Sequence, residues 1–307
     1  MRVCVIGAGA MGSLFGGILS SLASVVLLDP WRAHVEAINR QGLRIVSPEG
    51  ERTVQVKAVS LAEEVGAVDL AIVFVKSHQT AWAAEVAKGL LGPQGLALTL
   101  QNGLGNGETL ARIVGEERTC VGVTAHGATL LGPGQVRHAG KGATHLGRTP
   151  LTAAKVAGVA DLFAQTGLET HISDNLDSLV WGKLVINVGI NALTALMRVK
   201  NGLLEQMPPL RQVMDAAVSE AMLVAQAKGI SLPYPDPVAQ VAAVCRTTAG
   251  NRSSMLQDTL RGQLTENEVI NGAIVREAAT LGIAVPVNQT LYSLLKGLEA
   301  TYGLRET

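Results

Sequence analysis

The sequence has few aromatic residues, few cysteines and no excess charge of either sign. Aromatic side chains make up 3% of its 307 residues, too few for an aromatic-rich β-sandwich, so we expect helices packed closely on a sheet. Lysine plus arginine number 25, and aspartate plus glutamate also number 25. This balance argues against a nucleic acid or an anionic membrane as partner, since either would attract a strongly basic surface.

Long apolar runs and paired cysteines are also missing. The three cysteines, Cys4, Cys120 and Cys245, lack the spacing of a zinc site, so we expect buried thiols, no metal and a reducing, cytoplasmic location. The longest apolar stretch, residues 184–197, is too short to span a bilayer and contains two asparagines. Because the apolar start also lacks a cleavage site, neither a membrane helix nor a secretory signal is predicted.

Short β-branched apolar runs alternate with helical patterns through the first half of the chain. The runs lie at residues 3–6, 25–28, 70–75, 96–100 and 120–123. This alternation is typical of a parallel sheet covered by helices, because strands buried on both faces have continuous apolar sequences. Residues 46–59 predict a hairpin around a Pro-Glu-Gly turn, and residues 127–146 predict further strands, antiparallel ones among them, that close the domain.

After about residue 170, apolar residues recur at intervals of three and four, which predicts helices. These patterns cover residues 176–197, 210–228, 238–260 and 266–281, with proline or glycine breaks between them. We therefore predict an α/β protein with two domains. An α/β domain of the Rossmann type takes residues 1–170, and an all-helical domain takes residues 171–307.

A glycine motif follows the first predicted strand and begins the first predicted helix. Its residues, which fit the dinucleotide-binding pattern G-x-G-x-x-G, are Gly7, Ala8, Gly9, Ala10, Met11 and Gly12. Gly7 permits the tight turn, Gly9 lets the backbone approach a pyrophosphate, and Gly12 allows close packing of helix on strand. The helix N-terminus offers N–H groups to the anion. A glycine turn without a ligand is the alternative, and the strand before and helix after the motif argue against it.

About 20 residues after the motif, Asp29 and Arg32 favour different cofactors. Asp29 would accept hydrogen bonds from the ribose hydroxyls of NAD(H) and repel a 2′-phosphate, whereas Arg32 would pair with the 2′-phosphate of NADP(H). Alternatively, Asp29 caps the helix that follows and Arg32 is solvated.

A polar stripe lies within the apolar helix pattern of residues 176–197. Lys183, Asn187 and Asn191 are four residues apart, so they share one face of that helix. Burying them without partners would cost about 1–3 kcal/mol for each unsatisfied polar group, and more for the charge. A substrate with a carboxylate and a carbonyl would supply partners; a solvated face or a polar network between helices is the alternative.

Several segments, together with the glycine motif, resemble the ketopantoate reductase family from the first strand to Pro286. The segments are Val75-Lys76-Ser77-His78-Gln79, Leu100-Gln101-Asn102-Gly103, Trp181-Gly182-Lys183-Leu184-Val185-Ile186-Asn187, Asn191-Ala192-Leu193-Thr194-Ala195, Asn201-Gly202, Ser253-Ser254-Met255-Leu256-Gln257-Asp258, and Thr265-Glu266 with Ile270-Asn271-Gly272. The lysine–asparagine helix and the Ser-Ser-Met-Leu-Gln-Asp run are far more specific than the glycine motif, which many dehydrogenases share.

The resemblance implies NAD(P)H-dependent reduction of a 2-keto acid, with ketopantoate reduced to (R)-pantoate on the route to coenzyme A as the expected reaction. It makes Lys183 the general acid that protonates the developing alkoxide. Glu266 would accept a hydrogen bond from the 4-hydroxyl of the substrate, and Asn102 would orient substrate and cofactor. The other residues that it assigns to ligand contacts are Asn187, Asn191 and Asn201 for substrate polar groups, Ser254 for the substrate carboxylate, and Lys76 for the cofactor or that carboxylate.

The cofactor and the role of Glu266 each keep an alternative open. Family members that use NADPH place an arginine slightly before Arg32, where this sequence has Trp31, so the resemblance implies NADP(H) while Asp29 keeps NAD(H) open. Thr265 and Glu268 fit a capping box, which would place Glu266 in the first turn of a helix for structural reasons alone.

Three other functions compete with ketopantoate reduction. The first is reduction of another 2-keto acid by a paralogous enzyme. The second is a β-hydroxy acid dehydrogenase, against which the Ser-Ser-Met-Leu-Gln-Asp run argues. The third is a dinucleotide-sensing binding module without chemistry, against which Lys183 and Glu266 argue. The expected partner is a small-molecule 2-keto acid, and assembly as a homodimer is left open.

Overall fold

The computed structural model describes residues 1–304, which contain twelve β-strands and twelve α-helices. The strands are β1 (Arg2–Ile6), β2 (Ser24–Leu28), β3 (Leu43–Ser47), β4 (Gly50–Val54), β5 (Lys57–Val59), β6 (Val68–Val73), β7 (Leu91–Thr99), β8 (Thr119–Thr124), β9 (Gly127–Gly132), β10 (Gln135–Gly140), β11 (Thr144–Gly147) and β12 (Thr170–Ser173). The helices are α1 (Ala10–Leu19), α2 (Arg32–Gln41), α3 (Thr80–Leu90), α4 (Asn106–Val114), α5 (Ala153–Gln165), α6 (Leu176–Met197), α7 (Asn201–Gln206), α8 (Pro208–Ala227), α9 (Pro237–Thr247), α10 (Ser254–Leu260), α11 (Asn271–Leu281) and α12 (Pro286–Ala300).

The chain divides into two units. The first contains Met1–Gln101 and Asn106–Leu176, and the second contains Asn102–Gly105 and the chain from Asp177 onward. The domain boundary predicted after residue 170 stays a prediction. Sequence analysis did not predict that the four-residue loop Asn102–Gly105, from the first half of the sequence, belongs to the second unit.

The main sheet of the first unit has the strand order β12-β11-β8-β7-β6-β1-β2-β5. All neighbouring strands run parallel except β8 and β11. The chain adds β2 on one side of β1 and later β6 on the other, so the strand order reverses at β1. Open α/β sheets bind ligands at this reversal, at the carboxyl ends of the strands. The glycine motif follows β1 at that point, and the predicted Rossmann-type fold is confirmed.

Both faces of the central strands are buried, and alternate residues serve opposite faces. In β1, Val5 belongs to the core that includes Phe15 of α1, whereas Ile6 belongs to the core that includes Ala84 of α3. Side chains that alternate between two covered faces must all be apolar, which explains the continuous hydrophobic runs of the sequence.

A second, smaller sheet differs from the prediction. The hairpin of β3 and β4 and the antiparallel pair of β9 and β10 form as expected, but all four join in the order β4-β3-β10-β9. Of the strands after β8, β11 and β12 join the main sheet, and β9 and β10 join the second sheet. The further strands predicted for residues 127–146 are confirmed, but their division between two sheets was not predicted, because local turn signals do not reveal that β3 pairs with the distant β10.

The described residues of the second unit form helices and loops. Their longest helix, α6, has 22 residues and is the one helix among residues 1–304 long and apolar enough to cross a membrane. The apolar stretch 184–197 is part of this longer helix, so the length of the stretch alone does not decide whether the helix could cross a membrane. However, 67% of its most apolar window is buried, as in the core helix of a globular domain.

Two patterns predicted as single helices are broken. Residues 238–260 form α9 and α10, because Ser253 caps α10 by accepting a hydrogen bond from the Leu256 N–H at 3.0 Å. Residues 266–281 form a 3₁₀ turn, Asn267–Val269, followed by α11.

The three cysteines are free and buried, as predicted. Burial raises the pKa of Cys4 and of Cys120 to about 12 and that of Cys245 to about 11. Since the thiolate is the reactive form, these cysteines serve as small apolar core residues.

Gly12 allows α1 to pass close to the end of β1, and its replacement tests this packing. A Cβ atom at Gly12 would lie 1.9 Å from the carbonyl oxygen of Gly7, whereas a Cβ atom at Gly9 would meet nothing within 4 Å. We predict that Gly12→Ala lowers the free energy of unfolding by about 3 kcal/mol, because the helix must move away.

Gly9→Ala is the matched control, and it should change the free energy of unfolding by less than about 0.5 kcal/mol. Urea denaturation without cofactor measures both variants. Equal stabilities would contradict the close approach of α1 to Gly7.

Candidate active site

The predicted polar stripe lies on α6 and becomes more buried along the helix. Lys183 and Asn187 are half-buried, and Asn191 is 5% exposed. Leu184 and Val188, which lie between them in sequence, are core residues of the helical unit. A solvated face therefore does not explain Asn191.

The amine of Lys183 has an unusual proton affinity. Burial lowers the pKa of Lys183 to about 8 from an ordinary value of 10.5, and the carboxylate of Glu266 opposes this effect by raising it. Desolvation disfavours the ammonium form, while a nearby negative charge favours it. A lysine with such a pKa can hold and release a proton near neutral pH, which is what a general acid requires.

Glu266 lies in a loop and not within a helix. It is 7% exposed, it directly precedes the 3₁₀ turn without capping that turn, and its Oε2 accepts a hydrogen bond from Asn102 Nδ2 at 3.2 Å. The capping box predicted from Thr265 and Glu268 was wrong, because the carboxylate of Glu268 instead accepts a hydrogen bond from the hydroxyl of Tyr292. A helix dipole therefore does not account for the position of Glu266.

Asn102 reaches Glu266 because its loop fits closely against Val269. The Leu104 N–H donates to the carbonyl oxygen of Val269 at 3.0 Å. Gly103 has a φ of +84°, and a Cβ atom there would lie 2.3 Å from the same oxygen. Only glycine permits this approach. The second unit thus brings together the three residues predicted to be catalytic.

Asn201, predicted to bind substrate, begins α7 and is 7% exposed. Its Nδ2 donates to Thr248 Oγ1 at 2.9 Å, whereas its buried Oδ1 has no hydrogen-bond partner among the described residues. Buried amide oxygens in folded proteins nearly always have a donor. A ligand hydroxyl would supply the one missing here.

Ser254 is the first residue of α10 and is half-buried. The preceding Ser253 places its Oγ 2.7 Å from the Oγ1 of Thr194 on α6. This hydroxyl pair fixes the start of α10 beside the helix that carries the polar stripe. Sequence analysis missed both residues as positioning groups, although a serine before an apolar helical run is a cap signal that could have indicated Ser253.

The glycine motif has the geometry of an anion site. Gly7 has a φ of +93°, and a Cβ atom there would lie 2.8 Å from the backbone nitrogen of Val75. Gly9 precedes α1, which begins without a side-chain cap, and the space over Gly9 is open. Ala8 is buried, and Ala10 and Met11 are half-buried in the first turn. Open space and N–H groups at a helix start fit a pyrophosphate.

A buried hydrogen-bond chain that sequence analysis missed supports this loop. Ser13 Oγ donates to the carbonyl oxygen of Ala8 at 2.7 Å and lies 3.0 Å from His34 Nε2. His34 Nδ1 accepts from the Gly134 N–H at 3.0 Å, so Nε2 carries the ring proton and donates to Ser13. Burial lowers the pKa of His34, which keeps the ring neutral. No motif joins these distant positions in the sequence.

Asp29 and Arg32, near the start of α2, differ in burial: Asp29 is half-buried and Arg32 is exposed. Asp29 follows β2 and is half-buried, and its Oδ1 accepts from the Trp31 N–H at 2.9 Å. It therefore shapes the turn before α2 and does not cap the helix, whose N-cap residue is Trp31. Arg32 is exposed, and the indole of Trp31 stacks on His34 with ring centroids 5.0 Å apart.

Gln101 fixes the strand ends from which two predicted site residues extend. Its Nε2 donates to the carbonyl oxygen of Val75 at 2.8 Å and to Thr80 Oγ1 at 2.9 Å. Lys76, half-buried, follows Val75, and Asn102 follows Gln101. Sequence analysis quoted Gln101 within a family segment and gave it no role, because its partners lie on other elements.

The second unit therefore combines a lysine of lowered pKa, a buried carboxylate and an amide, while the first unit has the loop geometry for a dinucleotide. Among residues 1–304, no group of three His, Cys, Asp or Glu side chains could hold a metal ion. Proton transfer to a carbonyl oxygen is the chemistry that the amine and carboxylate can perform. These features define an NAD(P)-dependent oxidoreductase.

Comparison with known proteins identifies the family. Residues 3–150 match the ketopantoate reductase PanE/ApbA model, and residues 175–299 match the model of its C-terminal part. The 2-dehydropantoate 2-reductase of Halobacterium salinarum is 43% identical, over 96% of this chain and 98% of that protein. That of Pyrococcus abyssi is 36% identical, over 99% of both chains. The chain belongs to the ketopantoate reductase family.

Solved structures agree on fold and family. A PanE/ApbA family ketopantoate reductase from Ralstonia eutropha superposes with a TM-score of 0.90 at 35% identity, over 98% of this chain and 99% of that one. A D-mandelate dehydrogenase in a ternary structure with NADH and anilino(oxo)acetate superposes with a TM-score of 0.93 at 31% identity, over 99% of this chain and all of that one.

The pKa of Lys183 tests the proximity of Glu266. We predict that Glu266→Gln lowers the pKa of Lys183 by about 1, because the substitution removes the negative charge that stabilises the ammonium form. Competitive acetylation of lysines across a pH series, read by mass spectrometry, measures this pKa without substrate.

The matched control is Glu268→Gln, which changes a more exposed carboxylate two residues later and should leave the pKa of Lys183 as it is. If both variants leave it unchanged, the charge of Glu266 does not act on the amine.

Proposed function

We propose that this protein reduces 2-dehydropantoate (ketopantoate) to (R)-pantoate with NAD(P)H. The observation that carries the proposal is the lowered pKa of the Lys183 amine, on which the buried carboxylate of Glu266 acts electrostatically. The full-length similarity to 2-dehydropantoate 2-reductases supports it. A reduced nicotinamide supplies the hydride when bound, and the chain supplies the proton and the substrate contacts.

Lys183 is the general acid in this proposal. With a pKa of about 8 its amine is largely protonated at neutral pH, and it can donate that proton to the substrate's carbonyl oxygen as negative charge develops there. Until transfer, the ammonium stabilises the oxygen electrostatically. Glu266 keeps the amine protonated at neutral pH, because its charge raises the pKa that burial lowers.

The remaining predicted residues bind the substrate. Glu266 accepts a hydrogen bond from the 4-hydroxyl. Asn201 Oδ1, which is buried and has no donor among residues 1–304, is equally suited to accept that hydrogen bond. Ser254 binds the carboxylate at the start of α10, where the helix N-terminus also favours an anion. Asn187 and Asn191 bind the other polar groups.

A second candidate substrate is a 2-keto acid with an aromatic side chain. The observation that favours it is the TM-score of 0.93 with a D-mandelate dehydrogenase. Two observations argue against it: the Oδ1 of Asn201 has no hydrogen-bond partner among the described residues, and the identity to a 2-dehydropantoate 2-reductase is greater. A keto acid without a hydroxyl leaves that oxygen unpaired, which costs about 1–3 kcal/mol.

For the cofactor, we propose a preference for NADH over NADPH. Asp29 is half-buried directly after β2, and its Oδ1 accepts a hydrogen bond from the Trp31 N–H. Its carboxylate would accept hydrogen bonds from a ribose and repel a 2′-phosphate. Arg32 is exposed and therefore offers a phosphate only a solvent-screened charge. Lys76 would assist cofactor or substrate binding from the loop after β6. A cytoplasmic location, favoured by the free cysteines, and a homodimer stay predictions.

Lys183 is tested by turnover. We predict that Lys183→Ala lowers kcat for ketopantoate by about 10²–10⁴-fold while the Kd of the cofactor stays within about twofold, because the lysine acts on the carbonyl. In the unmodified protein, kcat for reduction should fall above pH 8 as the acid loses its proton.

Cofactor absorbance measures both effects, with ketopantoate and phenylglyoxylate compared as substrates. Unchanged turnover in Lys183→Ala would refute the acid role. A higher kcat/KM for phenylglyoxylate would favour the second candidate.

Asp29 is tested by the ratio of kcat/KM values for NADH and NADPH. We predict a ratio above one, and a fall of about tenfold in Asp29→Asn, since one lost charge repulsion is worth roughly 1.4 kcal/mol. Arg32→Ala is the control and should leave the NADH value unchanged. A ratio below one in the unmodified protein, lost in Arg32→Ala, would instead assign NADPH.

A further inference from the structure

The segment that carries Glu266 has no regular structure of its own to fix it. Residues 261–264 are exposed, and burial begins abruptly at Thr265, Glu266 and Asn267, which are 6%, 7% and 1% exposed. A buried carboxylate in a loop needs its backbone held by other elements, because a loop without such bonds samples many conformations.

The last turn of α12 holds the residue before Glu266. Glu299 Oε1 accepts two hydrogen bonds from Thr265, one from its backbone N–H at 2.8 Å and one from its Oγ1 at 2.6 Å. Thr265 Oγ1 in turn accepts from the Asn267 N–H at 3.1 Å. The two residues that flank Glu266 are thereby joined to one carboxylate oxygen.

A second contact with α12 holds the residue after Glu266. Asn267 Nδ2 donates to the carbonyl oxygen of Tyr292 at 2.9 Å. The residues on both sides of Glu266 are therefore hydrogen-bonded to the same helix, which holds the backbone at Glu266 in place.

We propose that Glu299 is a positioning residue for the active site, which holds Glu266 at the distance from Lys183 at which its charge acts on the amine. This inference rests on the roles proposed above for Glu266 and Lys183. Glu299 Oε1 accepts its hydrogen bonds from Thr265, so it acts on Glu266 through that residue.

The charge of Glu299 suits this task. Hydrogen bonds to a carboxylate are about twice as strong as those between neutral groups, and here one oxygen accepts both. Lys296, one turn earlier on α12, donates to Glu268 Oε1 at 2.8 Å, and Arg276 donates to the Glu268 carbonyl oxygen at 2.8 Å. These nearby cations thus donate hydrogen bonds to Glu268, whereas Glu299 Oε1 accepts its hydrogen bonds from Thr265.

The experiment measures the pKa of Lys183 by competitive acetylation in Glu299→Ala, Glu299→Gln and Thr265→Val. We expect Glu299→Ala and Thr265→Val to lower this pKa by about 0.5 or more, because Glu266 moves away from the amine. Glu299→Gln keeps an oxygen acceptor and should retain most of the original value.

A double-variant comparison separates positioning from a general loss of structure. In a Glu266→Gln background, Glu299→Ala should have no further effect on the pKa of Lys183, since the charge that it positions is gone. An equal decrease in that background would overturn the proposal, as would an unchanged pKa in the single variants. Thr265→Val keeps the backbone hydrogen bond, so it tests the same link if Glu299→Ala fails to fold.

The labelling needs neither cofactor nor substrate, so its result is independent of the substrate assignment. A protein that fails to reduce ketopantoate but shows these pKa changes would retain the positioning role and lose the proposed function. The converse result, with reduction intact and the pKa of Lys183 insensitive to Glu299, would refute the positioning role alone.

Discussion

Desolvating an ammonium group beside an apolar helical core is costly, and the second unit does this with the half-buried Lys183. Burial alone would favour the neutral amine of Lys183, and Glu266 restores part of the proton affinity. The Glu266 carboxylate is itself buried, so it needs hydrogen bonds and a fixed backbone. Asn102 donates a hydrogen bond to it, and the residues on either side of it are bonded to α12. One pair of opposite charges thus explains why a loop, a helix end and the middle of α6 meet.

The sequence predicts those parts of the fold that depend on local periodicity. The strand before the glycine motif, the helix after it and the alternating first half were all confirmed, since each rests on neighbours in sequence. The small second sheet was not foreseen, because the parallel pairing of β3 with β10 joins segments far apart in the chain. Likewise the break between α9 and α10 depends on a serine cap that apolar periodicity does not detect.

The candidate site shows the same division. Spacing within one helix indicated Lys183, Asn187 and Asn191, and the resemblance indicated the residues on other elements. What could not be predicted is how those elements are held together. Thr265 and Glu268 fit a local cap in sequence, yet Thr265 binds Glu299 and Glu268 binds Tyr292. A local motif and a long-range contact compete for the same side chains, and here the long-range contact prevails.

The loop Asn102–Gly105 leaves the first half of the sequence to join the second unit. A chimaera made by joining two relatives near residue 170 would therefore combine the loop of one parent with the helices of the other. The contact most sensitive to this exchange is that of Gly103 with Val269. A Cβ atom added at Gly103 would lie 2.3 Å from the carbonyl oxygen of Val269. Recombination between such enzymes is thus constrained by four residues that lie far from the apparent junction.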